Sequence, residues 1–463
     1  MRRHSSIQMT SQNLWSGILL FSLPLMASNL LQVLFNMADV AVVGQFAGTL
    51  SLGAVGSTTI LVSLFTGLLI GLGNGINVQV AHRIGAGQEE GIRITVHTSL
   101  ILAVIYGLVI MALGEALAEP VLLLLGTKEE LLQQAQLYFR IYLLGLPALA
   151  VYNFGNAVYS AAGNTRKPLA ILSLAGVVNV AGNLLFVIVF RMDVVGVALA
   201  SALSQYLSAF LIVLSLFRCR EKWGLRRDRL GLNRRTAGQV LQLAIPSGMQ
   251  NAIFAVANLF IQSGVNSFSA VMVSGNAAAA NADSIIYDVM AAVYTACASF
   301  MGQNYGAGKR KRVMQSYLIA LLYSFLVGLI LGLGIMFNGR TFLGLFSRDE
   351  QVIEAGLLRL NIMGFSYCVS AFMDNTIAAC RALGKTLVPT VAVILGSCLF
   401  RILWIYTVFA HFRTIPSLYL VYIFSWTITS AVQIAYFLYV WRHTFTSGGK
   451  TDKIGEKAGE AAC

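Results

Sequence analysis

Four acids stand well inside long apolar stretches of this sequence: Asp39, Asp283, Asp288 and Asp374. An ionisable group is costly in hydrocarbon, so where one occurs it faces a bundle interior or a wet cavity and marks an ion or substrate path. Asp39 is the most informative. Asn29, Gln32, Asn36 and Asp39 recur at steps of three, four and three, which places them along one face of a helix otherwise suited to lipid. Interhelical hydrogen bonding accounts for the amides of such a stripe. It accounts less well for an acid. Desolvation favours a neutral carboxyl group, while water or a nearby cation favours a carboxylate, so an aspartate whose surroundings alternate can exchange a proton or a cation.

The second half of the chain carries its polar groups differently. Asn251, Asn258 and Gln262 repeat the amides, but Ile261 stands where Asp39 would map. Asn281, Ser284 and Asp288 share one helical face, and Tyr367, Ser370 and Asp374 share another. Arg401 offers a cation to neutralise one of these acids, and a buried ion pair is a structural explanation for such groups. Asp283 is read as such a pair, and Asp374 either as a pair or as a counter-charge for a cationic substrate. The expected substrate cavity therefore contains Asp374, Asp288, Asp283, Arg401, Gln32 and Asn258, and the expected coupling site contains Asp39 and Asn36.

The elements that hold these residues must cross a bilayer. With 57% hydrophobic and 11% charged residues over 463 positions, and a mean hydropathy of +0.74, the chain has too little polar surface for a soluble globule. A span needs about 20 mostly apolar residues. Twelve stretches qualify: 14–43, 51–80, 92–114, 131–161, 168–190, 194–217, 239–265, 271–300, 314–337, 353–380, 387–410 and 417–441. The first is too long for a signal-peptide core. The six cysteines show no metal spacing, so packing is their role. The fold class is all-α and polytopic.

Basic residues set the orientation. The N-terminus, the even-numbered loops and the C-terminal tail hold 24 of the 32 lysines and arginines, so both termini are expected in the cytoplasm of a cell-membrane protein. This accounts for the net charge of +13 without nucleic acid. The expected organisation is a cytoplasmic N-terminus (1–13), a lobe of six spans (14–217), a basic linker (218–238), a second lobe (239–441) and a disordered cytoplasmic tail (442–463). The linker run RCREKWGLRRDRLGLNRR sets topology, with membrane lipids as its alternative partner.

The two sets of six resemble each other. At an offset of 221, Gly85-Ala86-Gly87 falls on Gly306-Ala307-Gly308, Gly163 on Gly384, Thr165 on Thr386 and Pro168 on Pro389. At 222, Pro24 falls on Pro246, Asn29 on Asn251, Asn36 on Asn258 and Gly53 on Gly275. Six is even, so both repeats enter from the same side, and the parallel arrangement is a transporter architecture. Gly-Ala-Gly fails as a phosphate loop. Arg310 stands where a Ser or Thr is needed, and the first copy is followed by Gln88-Glu89-Glu90. No nucleotide is implied, and the drive is an ion gradient. Neither H-E-x-x-H nor G-x-S-x-G occurs and the five histidines are scattered, so no enzyme is expected.

NAAAANADSIIYDVMAAVYTACASFMGQNYGAGKRKRV (276–313), LPLMASNLLQVLFNMADVAVVGQFAGTLSLGAVG (23–56) and GNTRKP (163–168) make the chain resemble the multidrug and toxic compound extrusion family over about residues 10–445. The resemblance implies two six-helix lobes in a V around a central cavity, no cofactor, and export of organic cations or related amphiphiles against protons or sodium. It also implies a sodium or proton site at Asp39, Asn179, Asn183 and Ser201. Asn183 replaces an acid and Ser201 a threonine of the family pattern, which leaves one formal charge fewer and keeps H+ and Na+ both open. Asp374 matches an acidic position of related members. A flippase for a lipid-linked saccharide is the alternative. Pro24, Pro147 and Pro246 are expected to kink their spans, and Gly71, Gly73 and Gly75 to allow close packing.

Overall fold

The computed structural model describes residues 7–446, and among these every regular element is a helix. Eleven helices are long and apolar enough to span a bilayer: α1 Leu14–Ala47, α2 Leu50–Gly85, α3 Glu89–Leu124, α5 Arg166–Val189, α6 Asp193–Phe217, α7 Arg234–Asn266, α8 Ala270–Gly306, α9 Arg310–Phe337, α10 Glu350–Ala382, α11 Leu387–Phe412 and α12 Ile415–Thr444. The twelfth, α4, is a pair, Glu129–Leu144 and Leu146–Ala161, bent by 44°. Pro147 lies just past the bend; it has no N–H to give the preceding turn, so the helix restarts there. Pro24 and Pro246 lie inside α1 and α7, which continue through them. Of the three prolines, Pro147 is the one that coincides with a break in its span.

Polar residues start several spans. The Asn13 side chain accepts from the Trp15 N–H at 2.9 Å, Asn233 from Thr236 at 2.9 Å and Asp349 from Gln351 at 2.9 Å, replacing carbonyls that the first turn lacks. The helices overrun the boundaries expected from hydropathy because a helical backbone satisfies its own hydrogen bonds beyond the hydrocarbon as well as within it. Helix α7 begins at Arg234, inside the expected linker, and α12 passes 441 into the expected tail. The rest of that tail, from 447, and residues 1–6 lie outside the described residues. The linker is strapped to the start of α3. Lys222 pairs with Glu89, Arg229 with Glu90 at 3.3 Å, and the Arg226 N–H donates to His97 Nε2 at 2.9 Å.

The repeat is visible in the backbone. Gly87 and Gly308 both take φ of 67°, a left-handed turn that a Cβ would strain. Thr165 donates to the Phe21 carbonyl at 3.0 Å, and its counterpart Thr386 donates to the Gln242 carbonyl at 3.1 Å.

The lobes meet through reciprocal contacts. Asn29 Nδ2 donates to the Asp288 carbonyl at 2.7 Å, and Asn251, its repeat counterpart, donates to the Gly67 carbonyl at 3.2 Å. Nearer the Gly-Ala-Gly turns, His82 Nε2 donates to the Ala382 carbonyl and its counterpart Gln303 donates to the Ala161 carbonyl, both at 2.6 Å. Between these layers α2 crosses α7 with backbones in contact: a Cβ on Gly71 would lie 2.3 Å from the Gly248 nitrogen. Gly73 instead faces Asn153 in its own lobe. These contacts occupy the turn-bearing half of the molecule, where the two arms of the V join. The most enclosed span is α8, 67% buried over its most apolar window, against 22% for α11, so α8 lies at the junction and α11 faces lipid.

Candidate functional site

Each lobe holds its own cavity. That of the N-terminal lobe, about 390 Å³, is walled by α1, α2, α4, α5 and α6. Gln32, Asn36 and Asp39 reach it from the α1 stripe, and Asp39 is the one charged side chain among its described lining residues. Asn29, the fourth member of the stripe, is used at the lobe interface.

Asp39 is held by two of the three residues that the family resemblance assigned, and the third braces one of them. Asn183 Nδ2 donates to Asp39 Oδ1, and Ser201 Oγ donates to Oδ2 at 3.1 Å. Asn179 Nδ2 donates in turn to Ser201 Oγ at 3.3 Å. Asn179 and Asn183 are four apart and share one face of α5; a π-helical turn, Leu184–Val189, follows directly. Such turns recur at functional sites because they re-aim a helix face. Asn183 is fully buried, and its Oδ1 has no hydrogen-bond partner. An orphaned oxygen beside a carboxylate, an amide and a hydroxyl forms a hard-donor set suited to a small cation. Two donors on the carboxylate favour its ionised form, the form that can take up either a cation or a proton.

The cavity of the C-terminal lobe, about 600 Å³, is lined by Asn258, Asp283, Asp288, Asp374 and Arg401 among others. Gln32 therefore sits in the other lobe's cavity, away from the five residues with which it was grouped. Asp283 is not free to meet a substrate. Its two oxygens accept from Arg359 Nη2 and from the Tyr367 hydroxyl. Arg359 also donates to Asn276 Oδ1 at 2.7 Å and packs over the Tyr419 ring. The buried pair expected at Asp283 is present, with Arg359 rather than Arg401 as its partner. Asp288 and Asp374 form no ion pair among the described residues and line the same cavity.

The aromatic wall was not anticipated. Phe254, Tyr287, Tyr294, Tyr422 and Trp426 line the C-terminal cavity, and Tyr287 stands edge-on to both Tyr367 and Trp426. The Tyr287–Tyr294 spacing of seven was a legible signal for one helical face, but it reads equally as core.

Twelve spans in two parallel repeats, with an acid-bearing cavity in each lobe, define a membrane transport protein. The MatE family model matches twice, at residues 24–185 and 246–407. The chain belongs to this family, and the two matches repeat the 222-residue offset read from its asparagines. The probable multidrug resistance protein YpnP of Bacillus subtilis is 32% identical over 304 residues, covering 66% of this chain and 68% of that protein. The probable multidrug resistance protein NorM of Thermotoga maritima is 25% identical over 385 residues, 80% of each chain. A solved structure, described as MATE in complex with MaL6, superposes with a TM-score of 0.88 at 22% identity, over 95% of this chain and 99% of that one, which shows the shared fold.

Proposed function

We propose that the chain is a secondary active efflux transporter, exporting amphipathic and often cationic small molecules by alternating access in antiport with protons or sodium. The observation that carries this reading is the Asp39 carboxylate, held by Asn183 and Ser201 as the sole charge lining its cavity among the described residues. An acid in that position binds H+ or Na+ when the cavity is open to one side and releases it when access changes. The multidrug names of the YpnP and NorM relatives support drug-like substrates. Asp288 and Asp374 supply counter-charge in the second cavity.

With the basic loops in the cytoplasm, the joined ends of the lobes close the cytoplasmic side and the cavities belong to an outward-open state. A lipid-linked saccharide flippase would need cations to meet phosphates. Arg359 is taken by Asp283, which leaves Arg401 as a single cation beside Asp288 and Asp374 in the C-terminal cavity, too little positive charge for a lipid-linked pyrophosphate, so efflux is favoured. The deciding measurement is counterflow and gradient-driven efflux of a fluorescent cation from proteoliposomes, with proton and sodium gradients imposed separately. Asp39→Asn should lose gradient-driven efflux and retain counterflow; unchanged efflux in both gradients would remove Asp39 from coupling.

A further inference from the structure

Arg401 is the one cation lining the C-terminal cavity that no carboxylate engages among the described residues. It is only 2% exposed, in the middle of α11. Its protein contacts are weak for a buried guanidinium. Nε donates to Ser425 Oγ at 3.4 Å and Nη1 to Asn258 Oδ1 at 3.3 Å, both neutral acceptors near the limit of hydrogen bonding. The guanidinium carbon lies 4.4 Å from the Tyr422 ring centre, 5.7 Å from Phe254 and 6.0 Å from Trp426. Ring faces attract a cation without neutralising it, and among the described residues Nη2 has no hydrogen-bond acceptor. Asp374 lines the same cavity and acts on Arg401 only through space, without pairing with it; a buried charge lacking a contact counter-ion is costly, and retaining one in a cavity wall makes sense where a ligand supplies the anion.

The repeat sharpens the point. Helix α11 contains an additional π-helical turn, Ile394–Leu399, which accommodates one extra residue. The offset accordingly passes from 221 at Pro168 and Pro389 to 222, and Arg401 falls where Asn179 stands in the first lobe. Around it, Ile261 and Ile423 replace Asp39 and Ser201. A group that belongs to a cation-holding set in one lobe has become a cation in the other.

We propose that the C-terminal cavity takes zwitterionic amphiphiles, whose carboxylate docks on the Arg401 guanidinium between Phe254 and Tyr422 while their cationic nitrogen is met by Asp288 and Asp374. The fork of Arg401 matches a planar carboxylate through paired N–H donors. The flanking rings give an aromatic ligand body flat apolar surface. A cavity of about 600 Å³ suits one such small molecule. This rests on the efflux reading for the direction of transport, and on the cavity alone for the binding preference.

The test uses a rhodamine ethyl ester, which is a plain cation, and the free acid of the same dye, which is a zwitterion. Binding of each to the purified full-length chain is followed by fluorescence polarisation, and export of each is measured from proteoliposomes. The wild-type chain is expected to bind the acid about tenfold tighter, the scale of one charge-assisted contact. Arg401→Gln is expected to bind the two dyes alike, and Arg401→Lys to keep part of the preference because it keeps the charge. Equal binding by the wild-type chain, or a preference that survives in Arg401→Gln, overturns the proposal even if both dyes are exported. A preference for the acid with export of neither dye upholds the proposal and overturns the efflux reading. The wild-type comparison decides by itself if a variant fails to fold.

Discussion

His82 and Gln303 occupy equivalent positions in the two repeats, and each donates across the lobe boundary to an alanine carbonyl, His82 to Ala382 and Gln303 to Ala161. One pair of contacts is thus made twice about the same pseudo-symmetry axis. It closes the end of the molecule that carries the Gly-Ala-Gly turns.

The equivalence predicts which substitution this closure tolerates. His82→Gln places in the first lobe the side chain that already does the work in the second, and thermal unfolding of the detergent-purified protein should stay close to wild type. His82→Ala leaves the Ala382 carbonyl unpaired and should cost about 1–3 kcal/mol. Equal melting temperatures for the two variants would show that the contact contributes little.

Overpacking the lobe crossing should open it. A methyl group on Gly71 meets the Gly248 backbone at 2.3 Å, and relieving such a clash costs about 1–3 kcal/mol, enough to move a two-state equilibrium by about 5- to 150-fold. Spin labels at Ala86 and Lys311, beside the two turns, should show a longer, broader distance distribution in Gly71→Ala. An unchanged distribution would mean that the crossing yields locally and does not control the state.

The Asp283 and Arg359 pair should behave as framework rather than as a substrate contact. Removing one member of a buried pair leaves an uncompensated charge and costs about 3–5 kcal/mol. Asp283→Asn and Arg359→Gln are each expected to lower yield and melting temperature sharply, and the double variant to recover part of the loss. If Asp283→Asn instead keeps full stability and alters only drug affinity, the acid belongs with Asp288 and Asp374.

Asn183→Asp would restore the second acid of the family pattern beside Asp39. Sodium affinity rises with the number of charged oxygen ligands, so the concentration for half-maximal sodium-driven efflux should fall about tenfold. No sodium effect in either the wild type or this variant, with proton-driven efflux intact, would assign the site to protons.

Much of the site was legible because membrane solvation makes polar residues conspicuous. Asp39 stood out as an acid on an apolar helix, and the spacing of Gln32, Asn36 and Asp39 gave its direction. The family resemblance supplied Asn179, Asn183 and Ser201, which no local pattern singled out; they reach Asp39 only because α5 and α6 pack beside α1. Asp283 was read as paired, but its partner was not legible, since Arg359 and Arg401 sit on different spans and only packing brings one of them to α8.

The sequence by itself determined the twelve spans and the doubled lobe. Hydropathy over about 20 residues is a local property, and a repeat is written in the chain wherever matched residues recur at a fixed offset. The tertiary structure decided the rest: that Asn29 serves the interface while Asn251 serves both the interface and a cavity wall, that Gln32 and Asp374 belong to separate chambers, and that Arg401 has aromatic rings around it but, among the described residues, no carboxylate at ion-pair distance. Those outcomes depend on which helix faces meet, and a helical face is indifferent to its neighbour until packing brings the two together.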